Sequence, residues 1–159
     1  MAEFRYSMIK NPEIFMENRL PAHSDHAFYR SEESAAANDA DFKVSLNGVW
    51  KFSYAKNIAS AIEGFEKADY DCKTWDDIRV PAHIQMEGYD TPQYANTQYP
   101  WDGRQAVLPG EIPEEFNPVG SYVKYFEVPK NMEEGPVFIS FQGVESGMAL
   151  WLNGHYVGY

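Results

Sequence analysis

Cysteine is almost absent: Cys72 is the only one in 159 residues. No intrachain disulfide can form, so stability has to come from packing, which favours a reducing compartment. No apolar run approaches the roughly 18 residues of a membrane helix, and the opening M-A-E-F-R-Y-S-M-I-K lacks the apolar core of a secretion signal. An N-x-Ser/Thr glycosylation site is missing too. These absences make a soluble, cytoplasmic chain without membrane partners the expectation. Basic residues are scarce, 13 against 24 acids, giving a net charge of −11 with no Lys/Arg stripe to offset it. Such a surface repels phosphate backbones, so nucleic acid is excluded as an expected partner. The chain has no G-x-S-x-G elbow, G-x-G-x-x-G or P-loop pattern, and Cys72 sits between Asp71 and Lys73 with no histidine near it in sequence. Serine hydrolase, thiol and nucleotide chemistries lose their usual carriers, and no internal repeat or low-complexity tract replaces them.

Aromatic rings are abundant: 4 Trp, 11 Tyr and 10 Phe, 16% of the residues. A chain of this length fits one domain that buries roughly 68–70% of its unfolded surface, and so many rings favour packed β structure or a stacking surface over disorder. The pattern divides into a leader, residues 1–44, and a β-rich body, residues 45–159. In the leader, Asn11-Pro12-Glu13 has the order of a helix cap, a first-turn proline and a first-turn acid, which predicts a short helix within Asn11 to Asn18. Ser31 with Glu32 and Glu33 opens a second, through Ala35, Ala36 and Ala37 to near Asn38. His23 and His26 lie three apart, but no third ligand follows at a suitable spacing, so no metal site is expected.

In the body, S-L-N-G-V-W-K-F-S-Y places an Asn-Gly turn before a run in which Trp50, Phe52 and Tyr54 alternate with Val49, Lys51 and Ser53, a strand with its aromatic face inward. Ile58 to Ala68, interrupted by Gly64, reads as an irregular connection. Tyr122 to Val128 and Val137 to Phe141 read as strands separated by a proline-bounded loop. A-L-W-L-N-G-H-Y-V-G-Y is a hairpin whose Asn153-Gly154 suits a type I′ turn. Short strands, few helices and long loops predict a mainly β, antiparallel sandwich. The final strand, ending at Tyr159, has nothing after it to cover its edge, so the sandwich is expected to be incomplete there.

Val80 to Trp101, V-P-A-H-I-Q-M-E-G-Y-D-T-P-Q-Y-A-N-T-Q-Y-P-W, crowds three prolines and four aromatics round Asn96. It is too punctuated for a regular helix or central strand and reads as an ordered loop with aromatic faces, suited to a sugar-handling surface. Asn96 can donate to and accept from sugar hydroxyls, or serve as a turn residue satisfying its own backbone. Tyr94, Tyr99 and Trp101 offer a stacking wall, or simply loop packing. Glycoside hydrolysis needs two carboxyls, about 5–5.5 Å apart for retention and about 6.5–9.5 Å for inversion. Glu87, Asp90 and Glu145 are the acids inside distinctive segments, but nothing marks them as a pair, and no catalytic residue is assigned.

S-L-N-G-V-W-K-F (Ser45 to Phe52), Val80 to Pro100, N-P-V-G-S-Y-V-K-Y-F-E-V-P (Asn117 to Pro129) and F-Q-G-V-E-S-G-M-A-L-W-L-N-G-H-Y-V-G-Y (Phe141 to Tyr159) closely resemble the N-terminal region of glycoside hydrolase family 2 beta-galactosidases of the LacZ type. The leader from Asn11 to His23 resembles the strap before that region. The resemblance implies a jelly-roll sugar-binding domain beside a barrel that holds the acid/base and nucleophile glutamates of a retaining beta-galactosidase acting on terminal β-D-galactosides. It further implies that Asn96 reaches the galactose subsite; Tyr99 and Trp101, its neighbouring rings, are expected as further substrate-binding residues. The remainder of the enzyme and a homo-oligomer are the implied partners. Magnesium and sodium ions are implied elsewhere in the full-length family; a leader metal of some members is not carried over, because Met8 stands where an acid would be wanted. On this reading the segment alone is inactive and binds galactosides weakly or not at all. An independent lectin-like module is the alternative, and an assembly element using the strap and the open edge ranks above it.

Overall fold

In the computed structural model, which describes residues 3–24, 26–40, 42–92, 96, 99, 101–133 and 135–159, the chain forms a mainly β structure with few, short helices. Strand β1, Gly48–Ala55, lies between β2, Asp76–Val80, and β3, Val119–Val123, antiparallel to both. The alternation seen in the sequence decides which face is covered. Phe52, paired with Tyr122 across β3, is 1% exposed, whereas Val49 is 59% exposed. Burying a phenylalanine this fully contributes about 1.5–3 kcal/mol. Ile78 of β2, opposite Trp50, is buried on the same face, Ala55 of β1 and Ser121 of β3 are buried at positions of the other, and Cys72 and Trp75, just before β2, are buried too. Tyr89 meets the Phe52 ring edge-on at 4.6 Å and Tyr122 lies tilted at 4.7 Å. Gly120 lets these rings close up: a Cβ there would lie 2.9 Å from both the Phe52 and the Tyr122 ring.

The hairpin is as the Asn153-Gly154 pair dictates. Strands β4, Leu150–Leu152, and β5, His155–Gly158, flank two residues with φ of 51° and 82°, the positive angles a type I′ turn requires. The last strand was expected to stand without a neighbour, but the leader lies beside it. Glu17 N–H donates to the Tyr159 carbonyl at 2.8 Å, and Tyr159 N–H returns a bond to the Glu17 carbonyl at 3.1 Å. The Asn18 amide donates to the Val157 carbonyl, and the Tyr156 hydroxyl to the Glu17 carboxylate at 2.8 Å. Phe4 adds a ring contact, 5.7 Å from Trp151 and perpendicular to it.

This pairing explains why the first expected helix does not form. Asn11 accepts from Glu13 N–H at 3.0 Å through its side chain, closing a local turn, and residues 17 and 18 spend their polar groups on the hairpin. A 3₁₀ turn forms earlier instead, at Tyr6–Lys10. The third strand is also shifted, covering Val119–Val123 where Tyr122 to Val128 was expected.

Residues 1–19, 47–124 and 145–159 make up one compact unit, which carries both sheets. Residues 20–46 and 125–144 make up a second. There the Ser31 cap does what its sequence predicts: its hydroxyl accepts from Ser34 N–H at 3.2 Å and starts α1, Glu32–Ala36. Tyr29 donates to Asn38 at 2.8 Å, and the Arg30 guanidinium lies 4.9 Å from the centre of the Phe42 ring. Val137 to Phe141, expected as a strand, is irregular and largely exposed, with Phe138 at 66%. Alternating apolar residues make a strand only where a neighbouring strand takes up their backbone groups, and among the described residues none pairs with this segment.

Candidate functional site

The distinctive loop leaves β2 at Val80, makes a 3₁₀ turn at Ile84–Glu87 and reverses at Gly88, whose φ of 95° only glycine adopts without strain. Two side chains fasten this entry to the sheet. The Tyr89 hydroxyl donates to Asp76 at 2.9 Å, and Arg79 donates to Glu87 at 3.0 Å. Burial pushes the Tyr89 phenol above its ordinary value, and the bond to Asp76 adds to the rise because the neutral phenol is the donor. Burial raises the Tyr54 phenol as well; the Asp90 carboxylate adds to that rise and the Arg104 guanidinium opposes it, so these groups share one field.

Beyond the entry, Asn96 occupies an exposed bend. Tyr99 and Trp101 come together face to face, ring centres 4.9 Å apart and planes within 4° of parallel. Tyr99 is 65% exposed and Trp101 half-buried. Tyr94, the third ring of the expected wall, lies outside the described residues. A tight turn holds the pair. The Asp102 carboxylate accepts from Tyr99 N–H at 2.9 Å, Asp102 N–H donates back to the Tyr99 carbonyl at 3.0 Å, and both Arg104 and Gln105 N–H donate to the Trp101 carbonyl. Residues 101–107 line an open cleft of about 530 Å³. The sequence reading did not single out Asp102, Arg104 or Gln105. The available signal was W-D-G-R-Q, where Asp before Gly is a turn signature; Gly103 indeed has a φ of 76°.

Of the acids in distinctive segments, Glu87 is held by Arg79, the charge of Asp90 helps raise the Tyr54 phenol, and Glu145 is exposed. A parallel ring pair whose Trp101 borders an open cleft can meet the apolar face of a flat ligand, and none of these three acids is among the residues that line that cleft. No group of three or more His, Cys, Asp or Glu gathers to hold a metal among the described residues. Met8 is buried, and its thioether accepts from Arg5 N–H at 3.4 Å; a soft sulfur already engaged there does not suit the hard cations of oxygen-rich sites. Among the same residues no helix is long and apolar enough to cross a membrane.

The antiparallel β unit thus presents an anchored loop with a stacked aromatic pair. The model of glycosyl hydrolases family 2, sugar binding domain, matches residues 43–159, and the chain belongs to that family. It is 54% identical over 154 residues to a beta-galactosidase of Halalkalibacterium halodurans, a match covering 96% of this chain and 15% of that protein. It is 47% identical over 152 residues to a beta-galactosidase of Clostridium acetobutylicum, covering 95% of this chain and 17% of the relative. A beta-galactosidase large subunit of Latilactobacillus sakei is 37% identical over 163 residues, with 95% and 26% covered. The chain thus spans about a sixth to a quarter of the length of these relatives.

Proposed function

We propose that this domain supplies one rim of the galactose subsite of a retaining beta-galactosidase, with Asn96 meeting sugar hydroxyls and Tyr99 and Trp101 offering a stacking face. The acids that break the bond belong to another part of such an enzyme, as do the magnesium and sodium ions. Residues 1–44 act as the strap of a jelly-roll body, and the working form is a cytoplasmic homo-oligomer. The observation that carries the reading is the Tyr99–Trp101 stack beside the cleft, with Asn96, an exposed bend residue, three positions before it in sequence.

Binding by the chain alone is weak, because one amide and an open cleft cannot enclose a sugar. Titration of the isotopically labelled chain with methyl β-D-galactoside is expected to move the resonances of Asn96, Tyr99 and Trp101 at millimolar sugar. Shifts elsewhere, or none, would overturn the subsite. Calorimetry giving a dissociation constant tighter than about 10 µM, roughly 7 kcal/mol, would overturn the role as a contributor in favour of a self-sufficient binder. No turnover of a chromogenic galactoside by the chain is expected.

A further inference from the structure

We infer that Gln105 is a positioning residue for the aromatic wall, a strut that ties Trp101 to the central strand; this rests on the reading of the Tyr99–Trp101 face as a saccharide surface. Its side-chain carbonyl accepts two backbone N–H groups at once, from Glu114 and Glu115, each at 2.9 Å. Its own N–H donates to the Trp101 carbonyl at 3.1 Å. The Glu115 carbonyl in turn accepts from the Asn57 side chain at 3.2 Å, and Asn117 N–H donates to the Lys56 carbonyl at 2.9 Å. Asn57 is buried two residues past the end of β1. A continuous path of hydrogen bonds therefore runs from the sheet through Asn57, residue 115 and Gln105 to the Trp101 peptide. Beside it, the Arg104 guanidinium sits 4.3 Å over the Phe116 ring, a second and parallel brace.

The chemistry singles out the side chain at 105. A carbonyl oxygen with two lone pairs can satisfy two adjacent peptide donors, which neither an aliphatic nor a cationic side chain of this length can do. Without that acceptor, the turn loses its link to residues 114 and 115, and the residue 104 and 105 N–H groups that hold the Trp101 carbonyl are no longer fixed against the sheet. Trp101 is then free to rotate off Tyr99, and the stacking face has to be re-formed at every binding event, a cost that lowers affinity.

The test compares Gln105→Met, close in size but without the acceptor, with Gln105→Glu, which keeps an acceptor oxygen at the same position. Gln105→Met is expected to abolish the nuclear Overhauser contacts between the Tyr99 and Trp101 rings and to weaken methyl β-D-galactoside binding about tenfold. Amide protection in β1 should stay unchanged, and Gln105→Glu should restore both ring contacts and binding. The inference is overturned if Gln105→Met leaves the ring contacts in place, if it lowers β1 protection in parallel with them, or if Gln105→Glu fails to restore them. If the parent chain shows no sugar shift at Trp101, the saccharide reading has failed, while the ring contacts still decide whether Gln105 sets the stack.

Discussion

Replacing Tyr156 with phenylalanine isolates the bond between the leader and the last hairpin, and its effect should depend on pH with a definite sign. The Tyr156 hydroxyl donates to the Glu17 carboxylate at 2.8 Å, and the phenol is pushed up from 10.0 to about 12, first by burial and then by that bond and the carboxylate's charge. Hydrogen bonds to charged groups contribute about 1.5–3 kcal/mol. This pair is only partly covered, so solvent screening brings the expected loss in Tyr156→Phe towards about 1 kcal/mol. The folded-state pKa lies above the unfolded one, so the native state holds the proton more tightly. The contribution is complete below pH 10 and fades as pH rises towards 12. Urea denaturation of both proteins, monitored by tryptophan fluorescence at steps across that range, measures the difference directly. The gap between parent and variant should be constant at neutral pH and close as the phenol ionises. A gap that persists unchanged at the alkaline end, or no gap at neutral pH, would refute the reasoning. Tyr54, Tyr89 and Tyr122 are also raised, but they are common to both proteins and cancel in the difference.

Gly158→Ala should disrupt the same junction sterically, since a Cβ there would lie 2.6 Å from the Glu17 carbonyl oxygen. An overpacking cost of about 1–3 kcal/mol is expected, together with faster exchange of the Glu17 and Tyr159 amides and unchanged exchange in β1. Phe52→Ala removes the one large side chain that is fully buried among the described residues, and should cost about 3–5 kcal/mol; a loss under about 1 kcal/mol in denaturant titration would mean the three-stranded sheet is not the centre of stability.

Much of the fold was legible because its signals are local. Trp50, Phe52 and Tyr54 lie on one side of a strand by the two-residue period alone, Asn153-Gly154 carries its turn in its own backbone preferences, and Ser31 caps the helix three residues ahead of its donor. The misreadings come from partners distant in sequence. Asn11 to Asn18 looks helical until Glu17 and Asn18 are drawn to residues 157 and 159. Strand β2, D-D-I-R-V, buries a single residue, Ile78, and has too few apolar positions to show a period; it is a strand because β1 offers it a ladder.

The candidate site divides in the same way. Residue types such as Asn96, Tyr99 and Trp101 can be picked from sequence because amides and large rings suit sugars, yet their arrangement rests on groups about ten residues away. Two rings at positions i and i+2 point to opposite sides of an extended chain, so a parallel stack at 4.9 Å demands a turn between them. That turn is closed locally by Asp102 and held from outside by Gln105 and Arg104 on residues 114 to 116. Residue 115, and residue 117 after it, answer to Asn57 and Lys56 just past the end of β1. An aromatic surface of this kind is thus a property of the sheet that anchors it, and substitutions at the anchor should alter ligand affinity without touching a ring.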